Sequence, residues 1–145
     1  MGTTTTPGPA LAPARTANPP RVHRSTRVLL VEDEPLTVEV FARALNRAGL
    51  VVDVAKDGLQ ALRLLRDRAP SLVVLDMSLP TLSGVEIVRE LRRSGRTDLP
   101  VVVVSGSNQE QSPLSSTELH PGIWLTKPIK PRELVEIVRG LTRSR

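Results

Sequence analysis

Six side chains able to carry charge or a reactive proton share one position in this chain: each stands at the end of a short aliphatic run. Glu32, Asp33 and Glu34 follow "VLLV", Asp76 closes "SLVVLD", Ser105 closes "PVVVVS", and Lys127 follows "IWLT". Carboxylates gathered near an interior repel one another, and the repulsion is costly without a counter-ion. Lys127 offers one positive charge, and a hard divalent cation would offer more. Mg2+ takes a few carboxylates and otherwise water or phosphate oxygens, which suits this set. An aspartate beside Mg2+ and a lysine, with a hydroxyl in reach, is equipped to attack a phosphoryl group. The metal and ammonium would offset charge on the transferring oxygens. All of this requires four separate stretches to meet.

The hydrophobic pattern supplies a way for them to meet. From Arg27 onward, aliphatic runs alternate with amphipathic stretches. "RVLLV" reads as a strand and "PLTVEVFARALNRAG" as a helix, with Pro35 near its start, Gly49 as its stop, and Val40, Phe41, Ala44, Leu45 and Ala48 on one face. "LVVDVA" is a second strand. "DGLQALRLLRDR" is a second helix, with Asp57 as N-cap and Gln60 at capping-box spacing. "SLVVLD" and "GVEIVRELRRSG" give a third strand and helix, and "PVVVVS" a fourth strand. "SNQEQSPLSSTELHPG" is polar and broken by Pro113 and Pro121, so its structure is left open. "IWLT" makes a short fifth strand. "PRELVEIVRGL" is a last helix, with Leu134, Ile137, Val138 and Leu141 at i, i+3, i+4 and i+7. Strands that are apolar on both faces and alternate with helices predict a doubly wound α/β fold with a parallel sheet covered on both sides. Ligands in such sheets bind beyond the carboxyl ends of the strands, where strand order reverses. The six residues lie at those ends.

Four of these stretches, "VLLVEDEP", "LVVLDMSLPTLSGVE", "PVVVVSG" and "WLTKP", resemble the receiver domain of bacterial two-component response regulators, in order and from about Arg27 to the C-terminus. The resemblance implies a flavodoxin-like five-stranded sheet of order 2-1-3-4-5. It implies Asp76 as phosphoacceptor, with Lys127 and Ser105 assisting. Glu32 and Asp33, with Asp76 and the backbone carbonyl of Ser78, are implied as the Mg2+ site. Ser105 and Trp124 are implied as the switch pair, Trp124 standing where the family usually has Tyr or Phe, and Lys127–Pro128 as a cis peptide. Ser78 and Ser107 fall where the family tunes dephosphorylation. The chain also departs from the pattern. His120–Pro121 replaces a small pair before the fifth strand, and the fourth helix must lie in the weakly periodic stretch around Pro113. That helix, the fifth strand and the fifth helix form the family's usual signalling face.

Each residue also has a plainer reading. Asp76 by itself could be a turn aspartate. Ser105 could cap a turn, and Trp124 could simply pack. Glu34 reads better as a charge favoured at a helix start, a reading open to Glu32 too. His120 reads as a loop histidine, having no second His near it in sequence.

With 145 residues the chain has room for one core, and with 1% aromatics that core is aliphatic. It lacks cysteine, which excludes disulfides and thiolate metal sites and points to a reducing, cytoplasmic setting. No apolar run is long enough for a membrane span. Residues 1–26 are rich in Pro, Thr and Ala and are expected to be a disordered tail preceding a receiver domain at 27–145. Gly2 and Thr6 match an N-myristoylation pattern, a short motif that reads better as a Thr-rich tail. Arg15, Arg21 and Arg24 carry three of the chain's five net positive charges, leaving the remainder nearly balanced and nucleic acid a poor partner. No Gly-rich phosphate loop follows the first strand, which disfavours a nucleotide-dependent enzyme.

The expectation is therefore a stand-alone, non-enzymatic switch, monomer or weak dimer. Its phosphodonor would be a histidine kinase or phosphotransfer protein, and its output a protein–protein contact. The alternative is a receiver-fold interaction domain that works without phosphorylation.

Overall fold

The computed structural model describes residues 25–143. The expected tail, with its Gly2–Thr6 pattern and its arginines, lies outside the described residues except for Ser25 and Thr26. Five strands, β1 (Arg27–Val31), β2 (Val51–Ala55), β3 (Leu72–Asp76), β4 (Val101–Ser105) and β5 (Gly122–Thr126), form one all-parallel sheet of order β2-β1-β3-β4-β5. Between and after them run α1 (Pro35–Arg47), α2 (Gly58–Arg68), α3 (Gly84–Arg93), α4 (Ser116–Leu119) and α5 (Pro131–Arg143). No described helix is long and apolar enough to cross a membrane.

Alternate residues of the central strands feed two separate cores. Leu29, Val31, Val73, Leu75, Val101 and Val103 pack with Ala61 and Leu65 of α2, Ile87, Val88 and Leu91 of α3, and Leu114 and Leu119 around α4. Val28, Leu30, Leu72, Val74, Val102 and Val104 face the other way, onto Phe41 and Leu45 of α1 and Leu134 and Val138 of α5. Period-2 alternation with both faces apolar is what a sheet between two helical layers requires. Burying each such side chain stabilises the fold by about 1.5–3 kcal/mol.

The outer strands depart from the fully apolar expectation. β2 is only half-buried up to Ala55, and its Asp53 pairs with Arg27 at 2.8 Å. β5 is likewise part-exposed, Ile123 included. Each has one strand neighbour, so its outer rim meets water.

Capping residues position the helices. The Glu34 carboxylate accepts from Thr37 N–H at 2.8 Å and starts α1 just before Pro35. Gly49, at φ +90°, ends that helix in the left-handed region that glycine enters freely. Asp57 caps α2 by accepting from Gln60 N–H at 2.8 Å. Gln60 returns its side chain to Lys56 N–H, one residue earlier than a reciprocal box would place it. Ser83 and Glu86 close a full capping box at the head of α3. Gly84 is needed there because a Cβ would run into Met77, which follows β3.

One expectation changes, and one open stretch takes a definite form. Val40 was placed on the apolar face of α1 but is 46% exposed, because the helix seats Phe41 and Leu45 and turns Val40 to its flank. The stretch left open after β4 forms a single 3-10 turn (Gln109–Gln111) and the one-turn helix α4, because Pro113 interrupts any longer hydrogen-bonded run. Lys127–Pro128 is cis, and so is His120–Pro121.

Candidate functional site

The strand order reverses between β1 and β3, and the acidic residues converge there. Glu32 prolongs the sheet one residue beyond β1, its N–H donating to Ala55 O at 2.9 Å. That tie holds its side chain inward, 3% exposed, where Oε2 accepts from Glu34 N–H at 3.0 Å. Asp33 follows at an exposed position. Asp76 ends β3 at 5% exposure, and its Oδ1 accepts from Ser78 N–H at 3.1 Å, folding the next turn over it. Glu32, Asp33 and Asp76 each present a carboxylate oxygen within 4.8 Å of the others.

The remaining strand ends complete the pocket. Ser105 ends β4, one residue beyond Val104, the β4 partner of Asp76. It is 8% exposed, and its Oγ accepts from Ser107 N–H at 3.1 Å. Its carbonyl accepts from Lys127 N–H at 2.7 Å, which holds the lysine backbone beside β4. Lys127 Nζ lies 3.7 Å from Asp76 Oδ1. This is within Coulomb reach but longer than a charge-assisted hydrogen bond, so the ammonium is not locked to the carboxylate.

Burial pushes the Glu32 carboxyl above its usual range. The nearby Asp76 charge adds to that, while the Glu34 N–H and Lys127 oppose it. A buried acid held up by a second acid is a site short of positive charge. The donors are hard oxygens with no His or Cys among them, and Asp33 leaves one side open to water. Such a set fits Mg2+, which binds carboxylates and retains water ligands.

Trp124 in the middle of β5 is half-buried and packs against the α2–α3 core. Its indole Nε1–H donates to Ser107 O at 2.8 Å. Ser107 therefore bonds Ser105 through its N–H and Trp124 through its carbonyl. Sequence reading placed Ser107 in a tuning position and missed this link, which only an indole N–H aimed at a backbone carbonyl creates. Glu34 stands apart from the three-carboxylate cluster and serves as the α1 cap. His120 is an exposed residue after α4 whose N–H donates to Ser116 O.

Residues 28–139 match the family model of the response regulator receiver domain. The chain belongs to that family. Receiver domains are signalling modules of two-component systems, and phosphorylation and Mg2+ are standard for them. This receiver domain is 37% identical over 137 residues to the alkaline phosphatase synthesis transcriptional regulatory protein SphR of Synechococcus elongatus, covering 88% of this chain and 53% of that protein. It is 35% identical to the phosphate regulon transcriptional regulatory protein PhoB of Pseudomonas aeruginosa, over 80% of this chain and 51% of that one. The chain thus spans about half the length of the curated relatives it matches.

Among solved structures, a Francisella response regulator receiver domain superposes with a TM-score of 0.75 at 25% identity, covering 83% of this chain and 98% of that one. The response regulator TrrA of Thermotoga maritima, determined with Mg2+ and BeF, gives a TM-score of 0.70 at 29% identity, covering 80% and 98%.

Proposed function

We propose that this receiver domain is a phosphorylation-controlled switch that accepts a phosphoryl group on Asp76 from the phosphohistidine of a histidine kinase or phosphotransfer protein. The observation that carries this reading is a nearly buried Asp76 carboxylate with Lys127 3.7 Å away and two further carboxylates within 4.8 Å. A carboxylate oxygen of Asp76 attacks phosphorus as the P–N bond to the donor histidine breaks, leaving an acyl phosphate. Lys127 is free to follow the transferred oxygens, and the Ser105 hydroxyl, which uses its lone pair for Ser107 N–H, keeps its proton to donate to one of them. Glu32, Asp33, Asp76 and the carbonyl of Ser78 are the groups to hold Mg2+, which when bound offsets negative charge on the phosphoryl oxygens. Water attack on the acyl phosphate resets the domain, so it acts on itself and turns over no separate substrate. Output passes to a protein partner through the β5 side of the molecule, with Ser105 and Trp124 as the switch pair.

The test is incubation with Mg2+ and a small phosphodonor such as acetyl phosphate, followed by intact mass. Wild type gains one phosphoryl group and Asp76→Asn gains none; an unmodified wild type would refute the proposal. A second reading, a receiver-fold interaction domain indifferent to phosphorylation, draws on the single-turn α4. It predicts partner binding that is equal for wild type, Asp76→Asn and the protein with Mg2+ and beryllium fluoride.

A further inference from the structure

A helix of one turn does not hold itself together, since nucleation costs more than its few hydrogen bonds return. In this molecule α4 has a capping box between Ser115 and Glu118 at its start, and it is further held from outside by two arginines on one face of α3. Arg92 spends every N–H of its guanidinium on a backbone carbonyl. Nε donates to Glu118 O at 2.9 Å, and Nη2 to Leu119 O at 2.8 Å and Pro121 O at 3.3 Å. Nη1 donates to Arg96 O at 2.9 Å and Leu99 O at 2.7 Å. The one side chain thus joins the end of α4, the lead into β5 and the lead into β4. Arg89, three residues earlier, donates to Glu118 Oε2 at 2.7 Å and to Pro113 O at 3.2 Å. Leu114 and Leu119 are buried in the same core as Ile87, Val88 and Leu91 of α3.

The preceding stretch, 106–112, is different. Most of it is exposed, and its ties to β4 and β5 run through Ser107, to the Ser105 hydroxyl and the Trp124 indole. Those are the two groups that the proposed switch would move. From this contrast we infer that Arg89 and Arg92 form a bracket that fixes residues 113–121 and confines the response to phosphorylation to 106–112 and Trp124. The inference rests on Asp76 as phosphoacceptor, and it replaces a moving fourth helix with a moving loop. Glu118 is held ionised to about pH 2, first by its bond from Arg89, so the bracket stays charged at any ordinary pH.

Hydrogen exchange of the full chain, with and without Mg2+ and beryllium fluoride, tests it. Ligand addition should change exchange in 106–112 by roughly tenfold and in 114–121 by less than about twofold. Changes of equal size through 114–121 would overturn the inference. Arg89→Ala removes the exposed half of the bracket with little risk to folding, and Arg92→Lys removes the planar fork. In either variant the response should spread into 114–121, and a response that stays confined in both would also overturn it. Exchange at the Leu119 and His120 amides without any ligand gives an independent reading. It should quicken by about tenfold in Arg89→Ala, and an unchanged rate refutes the bracket. Failure of the mimic to bind, seen as no change in fluorescence of Trp124, the single tryptophan, would instead count against the phosphoacceptor reading.

Discussion

Glu32 is the most buried residue of the acidic cluster. Its carboxyl is almost out of water, next to another acid, and has a raised pKa. The sign of the consequence follows from proton counting: above the ordinary value of 4.5, folded Glu32 binds more protons than unfolded Glu32. Stability of the metal-free protein therefore falls as pH rises through the raised pKa. Glu32→Gln removes that loss, and its metal-free melting temperature at pH 7 should exceed that of wild type. If Glu32 helps hold Mg2+ as proposed, the same variant should bind the ion at least tenfold more weakly by calorimetric titration. Equal Mg2+ affinity would remove Glu32 from the metal site. The meeting of Asp76 and Lys127 was legible in the sequence because each follows an aliphatic run, and a parallel sheet brings such ends to one edge. The Trp124–Ser107 bond was not legible, since backbone carbonyls carry no residue code.

At the scale of elements, periodicity located nine of the ten α-helices and strands among the described residues to within a few residues, and the departures are instructive. Val40 fits the α1 face by spacing, yet a helix on a twisted sheet offers a narrow contact stripe, and Phe41 and Leu45 occupy it. The α4 region carries a readable start signal, the Ser115–Glu118 capping box, but no periodic run follows it; its further ties to Arg89 and Arg92 come from charged residues that a helical wheel assigns to solvent. The α5 layer gives a direct measure of core dependence. Leu134 is fully buried on the α1 side of the sheet. Leu134→Ala should lower unfolding free energy by about 2–5 kcal/mol in denaturant titration, and a loss under about 1 kcal/mol would mean that α5 packs loosely. Asp57→Ala, which removes the α2 cap, should cost about 1 kcal/mol by the same measurement.

For the whole molecule, a cation held by the three-carboxylate cluster would link metal to stability. A cation that binds only the folded state stabilises it by about 2.7 kcal/mol at a hundredfold excess over its dissociation constant. Mg2+ should therefore raise the melting temperature of wild type and leave an Asp33→Asn, Asp76→Asn double variant unmoved, as read by thermal denaturation. Acid works through a different group. Glu118, with its pKa lowered to about 2, contributes stability in full above 4.5 and loses it as pH falls towards 2. Glu118→Gln should flatten the melting-temperature profile over that interval.

The order of apolar runs and charged strand ends determines, by itself, a parallel sheet with acids, a hydroxyl and a lysine on one edge. Side-chain periods of two and of 3.6 residues leave little else for such a chain to build. Tertiary structure alone decided how closely the carboxylates approach, which way Trp124 donates, and which distant side chains tie down α4. Those outcomes depend on distances between residues far apart in the chain, which local pattern does not encode.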